Sequence, residues 1–176
     1  MASTLFSPKE QKILDLRTQK IAKPLHKKNK QDSAYLQICF DNNENYGIPV
    51  IDIEEVLKTQ RMANVPCTPD FIAGVINRRS EMIAVLDLNA FFGLGKISDN
   101  KDSRIIVVNA ANLQVGILTS MIIGEVRYHS ADLAPPFQVN DGVKPEYISG
   151  IHNNNVQVIN LEHILLALTL VLDSTI

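Results

Sequence analysis

Pro69-Asp70-Phe71-Ile72-Ala73-Gly74-Val75 and Pro145-Glu146-Tyr147-Ile148-Ser149-Gly150-Ile151 are one seven-residue phrase written twice, 76 residues apart. Every position carries a residue of the same character in both copies. Three residues closer in register, Val85-Leu86-Asp87-Leu88 recurs as Val158-Ile159-Asn160-Leu161. Each copy then runs into an apolar, helix-compatible segment, 89–94 and 162–168. Upstream, Tyr46-Gly47-Ile48 followed by Glu55-Val56 is echoed by Val115-Gly116-Ile117 followed by Glu125-Val126, with one residue inserted. Self-similarity at a fixed spacing is the signature of a repeated structural unit. Two homologous units at about 35–94 and 104–168 account for all of these matches. Gly95–Ser103, rich in turn-forming residues, is the connection between them. A unit of this size buries too little surface to be secure alone, so the two are expected to share one core.

Within the units the periodicity is two. Ala34, Leu36, Ile38 and Phe40 alternate with Tyr35, Gln37 and Cys39, as a half-buried strand requires. Asp41–Asn45 is a turn cluster, and Tyr46–Val50 resumes an extended run. Further strands are predicted at Phe71–Ile76, Met82–Leu86, Arg104–Val108, Leu113–Leu118, Met121–Val126, Ile148–Ile151 and Val156–Ile159. Many short strands with turn punctuation predict a mainly β small-barrel or sandwich fold, not a parallel sheet alternating with helices.

The first 33 residues differ in kind. They hold eight Lys or Arg against three Asp or Glu, whereas residues 34–176 hold nine against sixteen, and no glycine precedes Gly47. Ser7-Pro8-Lys9-Glu10 carries the residues of a capped helix start. Ile13, Leu14, Leu16 and Ile21 form a narrow helical stripe that Pro24 closes. Residues 1–33 are therefore expected to be a basic, helical N-terminal arm and linker, a docking helix, a solvated leader or, as the weakest reading, a membrane-surface helix, ahead of a domain at 34–172.

Composition excludes several classes. A net charge of −2 over 176 residues lacks the basic footprint of a dedicated nucleic-acid binder. Only Arg78-Arg79 forms a basic pair in a strand-turn-strand setting, and there is no Trp for base stacking, so a small-barrel nucleic-acid binder is the weakest alternative. Cys39 and Cys67 make neither a disulfide framework nor a zinc spacing, and both are expected to be small buried residues. No stretch approaches the ~18 apolar residues of a membrane span, so a soluble, cytoplasmic protein is expected.

Catalysis needs converging groups, and none is legible. His26, His129, His152 and His163 are scattered, without metal-ligand spacing. Glu162-His163 opens the last helical segment and reads as surface. Gly93-Leu94-Gly95-Lys96-Ile97-Ser98 has a Gly-Lys pair, but Ala90 and Ile97 stand where a phosphate loop needs Gly and Ser or Thr. No nucleophile elbow or dinucleotide fingerprint occurs. A non-enzyme with no cofactor and no metal is expected.

A protein-binding module remains. Asn77-Arg78-Arg79-Ser80-Glu81 lies at a turn between apolar strands, and its counterpart in the second unit is the uncharged Asn153-Asn154-Asn155. Arg offers a planar, stackable fork, so Arg79 is the expected interface anchor, with Asn77, Arg78 and Ser80 beside it. The plain alternatives are a solvated hairpin tip, or an ion pair of Arg79 with Glu81 or Asp87.

At these residues the chain resembles the CheW-like domain, the adaptor of bacterial chemosensory arrays. The matching series is Phe40, Tyr46-Gly47-Ile48-Pro49-Val50, Glu55-Val56, Val65-Pro66, Pro69, Phe71 through Arg79, Val85-Leu86-Asp87-Leu88 and Gly93. It continues with Ile105–Val108, Val115–Leu118, Glu125-Val126, Pro135-Pro136, Tyr147–Gly150 and Leu161 onward, covering about 34–168. The resemblance implies two small SH3-like β-barrel lobes sharing one core, with short helices. It also implies a scaffold coupling transmembrane chemoreceptors, at their methyl-accepting cytoplasmic tips, to a CheA-type histidine kinase through the kinase's own CheW-like regulatory domain. Such a scaffold has no nucleic acid partner and is not inserted in the membrane; it sits in the cytoplasm, recruited to receptor arrays. Arg79 stands at the Arg of the family's Asn-x-Arg-Gly motif, which is associated with partner binding. The chain departs from the pattern at Ser80, where Gly is usual, at Ala84, where Pro is common, and at Thr119-Ser120, which replaces a frequent Val-Asp pair. The alternative within this class is a structural protein-binding module that has lost array coupling.

Deletion of residues 1–32 is expected to leave the thermal unfolding midpoint within a few degrees, since ~1 kcal/mol shifts a domain of this size by only ~2–4 °C. A scan of truncated and full chains checks this. An insoluble truncated product would show that the Ile13–Ile21 stripe belongs to the core.

Overall fold

The computed structural model describes residues 32–40, 44–98, 100–136 and 143–173. The expected arm helix lies outside them. Eleven strands are present among the described residues: β1 (Asp32–Cys39), β2 (Asn45–Pro49), β3 (Ile53–Lys58), β4 (Ile72–Arg78), β5 (Glu81–Leu86), β6 (Arg104–Ala110), β7 (Leu113–Thr119), β8 (Met121–His129), β9 (Leu133–Ala134), β10 (Ile148–His152) and β11 (Val156–Ile159). Two helices accompany them, α1 (Leu88–Phe91) and α2 (Leu161–Asp173). The strands build a six-stranded sheet in the order β8-β1-β2-β11-β10-β9 and a five-stranded sheet in the order β3-β6-β7-β5-β4. This is the mainly β, two-lobed architecture expected.

Repeats and lobes do not coincide. The six-stranded sheet takes β1 and β2 from the first repeat and β8 to β11 from the second, while the five-stranded sheet takes β3 to β5 from the first and β6 and β7 from the second. All pairings within a sheet are antiparallel except two. Those two join the repeats, as the antiparallel pairs β1–β8 and β3–β6 also do: β2 runs parallel to β11 with Gly47 opposite Val158, and β7 runs parallel to β5 with Gly116 opposite Val85.

The internal symmetry extends to single hydrogen bonds. Asp87 N–H donates to the Phe71 carbonyl at 2.8 Å, and Asn160 N–H donates to the Tyr147 carbonyl at 2.8 Å. Both residues then cap the helix that follows. Asp87 Oδ1 accepts from Ala90 N–H at 3.0 Å, and Asn160 Oδ1 accepts from His163 N–H at 3.2 Å, satisfying amides that a helix start leaves unpaired. Asp87 does more than its partner, because Oδ2 also accepts from the buried Ile97 N–H at 2.8 Å and so fastens the connection between repeats.

The glycines mark close approaches in matched pairs. A Cβ on Gly47 would lie 2.7 Å from the Tyr35 ring, and one on Gly116 would lie 2.8 Å from Ile105 Cγ2. Tyr35 and Ile105 hold the same place in β1 and β6, two residues before the partner of each glycine. Gly74 and Gly150 follow register shifts in β4 and β10. A Cβ on Gly74 would meet the Ala63 carbonyl at 2.8 Å and Met62 Cβ at 3.1 Å; on Gly150 it would meet Leu133 Cβ at 2.8 Å and the Ala134 carbonyl at 3.1 Å. In each repeat a short covering segment therefore crosses the bulged strand on a glycine, Ala63 bridging to Val75 and β9 pairing with β10.

One core serves both sheets. Ile38, Phe40, Tyr46 and Ile48 of the first sheet belong to the same buried cluster as Ile76, Val85, Ile105, Ile106 and Ile117 of the second, with Leu161, Ile164, Leu165 and Leu168 of α2. An aromatic chain runs through it: Phe40 to Tyr46 at 4.7 Å between centroids, Tyr46 to Phe92 at 6.0 Å, Phe92 to Tyr147 at 6.3 Å, and Phe91 within 5.3 Å of Tyr147. Rings at these separations attract beyond the area they bury.

Two expectations are corrected. Cys67 is exposed, in a turn with φ 60°, and Cys39 is half-buried, so neither is a core residue. The strands β3 and β9 were not predicted. β3 reads Ile-Glu-Glu-Val-Leu-Lys, whose acids argue against a strand, but it is an edge with one face in solvent.

Gly74→Val and Gly150→Val are each expected to lower unfolding stability by ~1–3 kcal/mol through overpacking. Gly124, whose Cβ would meet nothing within 4 Å, is the control, and Gly124→Ala is expected to change stability by under ~0.5 kcal/mol. Denaturant unfolding of the three variants checks the set. Full stability in either Val variant would mean that its covering segment is not seated.

Candidate functional site

The residues singled out in the sequence lie together at the β4–β5 hairpin. Arg78 pairs with Glu81, leaving Arg79-Ser80 as a two-residue turn with φ 52° and 72°. Positive φ at both central residues is the turn whose twist matches a hairpin. Asn77 supports it by accepting from Ser80 N–H through Oδ1 at 3.2 Å. Ser80 thus adopts the left-handed backbone that Gly takes without strain. The second repeat solves the same problem with Asn153 and Asn154 at φ 50° and 56°, residues more tolerant of that region.

The side chains at this hairpin face carboxylates that the sequence did not single out. Arg78 Nε donates to Glu55 Oε2 at 2.7 Å and Nη1 donates to Glu54 Oε2 at 3.2 Å. Arg79 Nη2 reaches the same Glu55 oxygen at 3.5 Å. Glu54 also accepts from Gln114 Nε2 at 2.7 Å and from Asn109 Nδ2 at 3.0 Å. The cluster therefore collects residues from β3, β4, β6 and β7 with the tip of the hairpin. Neither Glu81 nor Asp87 pairs with Arg79. Asp87 is committed to capping and Glu81 sits across the strand from Arg78.

The two arginines have different environments. The Arg78 side chain is 11% exposed and is fixed by two carboxylates, whereas that of Arg79 is 75% exposed and holds one long contact. Arg78 is the structural member and Arg79 the presented one. The hydrogen bond to Glu55 holds the Arg78 guanidinium above its ordinary pKa, helped by the charges of Glu55 and Glu54 and opposed by desolvation. The Glu54 carboxyl is held below its ordinary value, first by Gln114, then by Asn109, with Arg78 adding to them. Two acids side by side on β3 would repel one another. Arg78 between them removes that repulsion.

The sequence signal for Glu55 was present in the echo of Glu55-Val56 by Glu125-Val126, since the second pair lies within a strand read from alternation. Glu54 had no such signal. Its role comes from the pairing of β3 with β6 and of β6 with β7, which brings residues 54, 109 and 114 side by side.

The cluster holds two carboxylates bonded by arginines and by the amides of Gln114 and Asn109. Among the described residues no group of three or more His, Cys, Asp or Glu could hold a metal ion. No helix among them is long and apolar enough to cross a membrane.

Comparison with known proteins places this geometry. The model of the CheW-like domain matches residues 38–168. The chain is 30% identical over 125 residues to "Chemotaxis protein CheW" of Helicobacter pylori, covering 70% of this chain and 76% of that protein. It is 28% identical over 125 residues to "Chemotaxis protein CheW" of Treponema pallidum, covering 68% of this chain and 74% of the relative. The crystal structure of the scaffolding protein TtCheW from Thermoanaerobacter tengcongensis superposes with a TM-score of 0.70 at 29% identity, covering 80% of this chain and 92% of that one. The match spans both sheets, the hairpin and its carboxylate partners, and the chain belongs to the CheW-like domain family.

Proposed function

We propose that this protein is a non-enzymatic adaptor that couples chemoreceptors to a CheA-type histidine kinase in chemosensory signalling. The observation that carries the reading is the family match over residues 38–168, which includes the whole of both lobes except the ends. Relatives carry the name chemotaxis protein, and a solved relative is a scaffolding protein. The kinase's CheW-like regulatory domain and the receptor's cytoplasmic tip are the partners, and the cytoplasm beside the receptor array is the place.

Arg79 is the anchor in this proposal. Two equivalent hairpins project from the fold, and only the first carries charge. Its base is fixed through Arg78, so Arg79 is presented from a rigid support, which lowers the entropy lost on binding. The backbone strain at Arg79 and Ser80 fits a site retained for recognition rather than stability.

Arg79→Ala is expected to leave folding within ~0.5 kcal/mol. It is expected to weaken titration with a kinase regulatory domain or receptor tip ~30-fold, as the loss of ~2 kcal/mol at an anchor implies. Unchanged affinity for both partner types would sink the anchor and favour a structural module without array coupling. Arg78→Ala is expected to lower the unfolding midpoint as well, because it leaves Glu54 and Glu55 facing each other.

The clamp also predicts a pH dependence. The folded pKa of Glu54 is below its ordinary 4.5, so its contribution is present above that value and is lost as pH falls through the lowered folded value. The stability gap between the parent and Glu54→Gln is expected to be open at neutral pH and to close in acid below 4.5. Denaturant unfolding of both proteins across that range measures it; a gap independent of pH would rule out the Glu54 charge, held first by Gln114 and Asn109 and then by Arg78, as its source.

A further inference from the structure

Independently of the adaptor reading, we propose that the depression between the end of β3, the segment after it and the start of β6 binds a small, multiply charged phosphate-bearing anion of oligophosphate size. Residues 34–176 carry nine Lys or Arg against sixteen acids, so a free cation is scarce on this surface. Five of the nine, Arg78, Arg79, Lys96, Arg127 and Lys144, lie within 4 Å of a carboxylate. The other four, Lys58, Arg61, Lys101 and Arg104, all line one open cavity of about 910 Å³, and among the described residues no acid lines it. Among the described residues none of these four has a carboxylate partner.

Strand pairing puts the cations there. Lys58 ends β3 directly opposite Arg104, which begins β6. Arg104 Nη1 donates to the carbonyls of Lys101 at 3.0 Å and Ser103 at 2.7 Å, which holds the guanidinium at the rim while leaving its charge uncompensated. A second observation points the same way. Thr59 lines the cavity, and its Oγ1 is buried without a hydrogen-bond partner. An unpaired buried hydroxyl is costly, and a turn about χ1 to another staggered position would offer it to a bound oxygen.

The chemistry of the walls selects the ligand. Four like charges around one concavity focus a positive field on a compact anion. An extended acidic peptide presents same-face carboxylates roughly 7 Å apart and is suited to a ridge of cations, not to a closed group. Among the described residues no aromatic side chain lines the cavity to offer a platform for a nucleobase, and recognition rests on the phosphates. Gln60, Asn64 and Asn100 supply neutral donors beside the charges.

The test is calorimetric titration of the full chain with sodium tripolyphosphate at about 50 mM ionic strength, where such contacts are weakly screened. Saturable one-to-one binding is expected. Joint replacement K58Q/R61Q/K101Q is expected to weaken it by about tenfold or more, through loss of charge-assisted contacts. The variant K96Q/R127Q/K144Q removes the same net charge from already paired sites and is expected to bind as the parent does. Absence of binding, equal loss in both variants, or equal retention in both would overturn the proposal, the last by assigning the signal to the basic residues 1–31. Tighter binding of hexaglutamate than of tripolyphosphate would overturn it in favour of an acidic peptide. ADP binding as tightly as tripolyphosphate identifies a nucleotide's phosphates as the source, and weaker ADP binding identifies a free oligophosphate; both support the site. Should the first variant fail to fold, amide shifts in the unmodified chain decide. Changes confined to 58–64 and 100–104 support the proposal, and changes elsewhere overturn it.

Discussion

The parallel pairing of β2 with β11, and of β7 with β5, is the constraint on which the molecule depends. Neither repeat can close a sheet by itself, because in each sheet the first two strands of one repeat lie between the third strand and the last strands of the other. At both joints the partner of a valine is a glycine, Gly47 opposite Val158 and Gly116 opposite Val85. The missing side chains leave notches that Tyr35 and Ile105 fill. Parallel pairs are slightly weaker per residue than antiparallel ones. Here they are reinforced by the core that they enclose, which is continuous from one sheet to the other. The two halves are therefore cooperative by construction, and a break at one joint exposes residues of both lobes.

Duplication left the symmetry of the scaffold intact and allowed its surface to diverge. Asp87 and Asn160 make the same cap, Gly74 and Gly150 admit the same crossing segment, and the carbonyls of Phe71 and Tyr147 accept the same hydrogen bond. All of these positions are fixed by backbone geometry. The hairpin tips share a left-handed backbone, but no packing fixes their side chains. One became a run of asparagines suited to left-handed backbone, and the other became an arginine pair held by acids of β3. The first sheet has its own polar feature, where the buried Tyr35 hydroxyl meets His152 Nδ1 at 2.8 Å and the Tyr128 ring lies tilted against both. Its counterpart around Ile105 is apolar. Divergence thus follows the places where packing does not dictate the residue.

Strand alternation, the turn residues and the repeated phrase made the β class, the two units and the helix after each Val-x-Asp/Asn-Leu run legible in sequence. Periodicity failed at β3 and β9. Edge strands need only one apolar face, and a two-residue strand has no period to read. The site was half legible. Arg79 and its neighbours stood out because the second repeat lacks them, but Glu54, Gln114 and Asn109 did not. Nothing local marks those three residues: Asn109 and Gln114 are 55 and 60 positions from Glu54 in sequence and meet it only through strand pairing.

By itself the sequence determined nine of the eleven described strands, that they come in two equivalent sets, and where Gly74 and Gly150 must stand. Those properties depend on side-chain period and on local backbone sterics, which act over a few residues. The tertiary structure alone decided that the sets exchange strands, that Arg78 rather than Arg79 is the braced arginine, and that four unpaired cations share one cavity. Each of these is a matter of register between segments distant in the chain. Register is set by how two faces bury together, and a single strand does not contain that information.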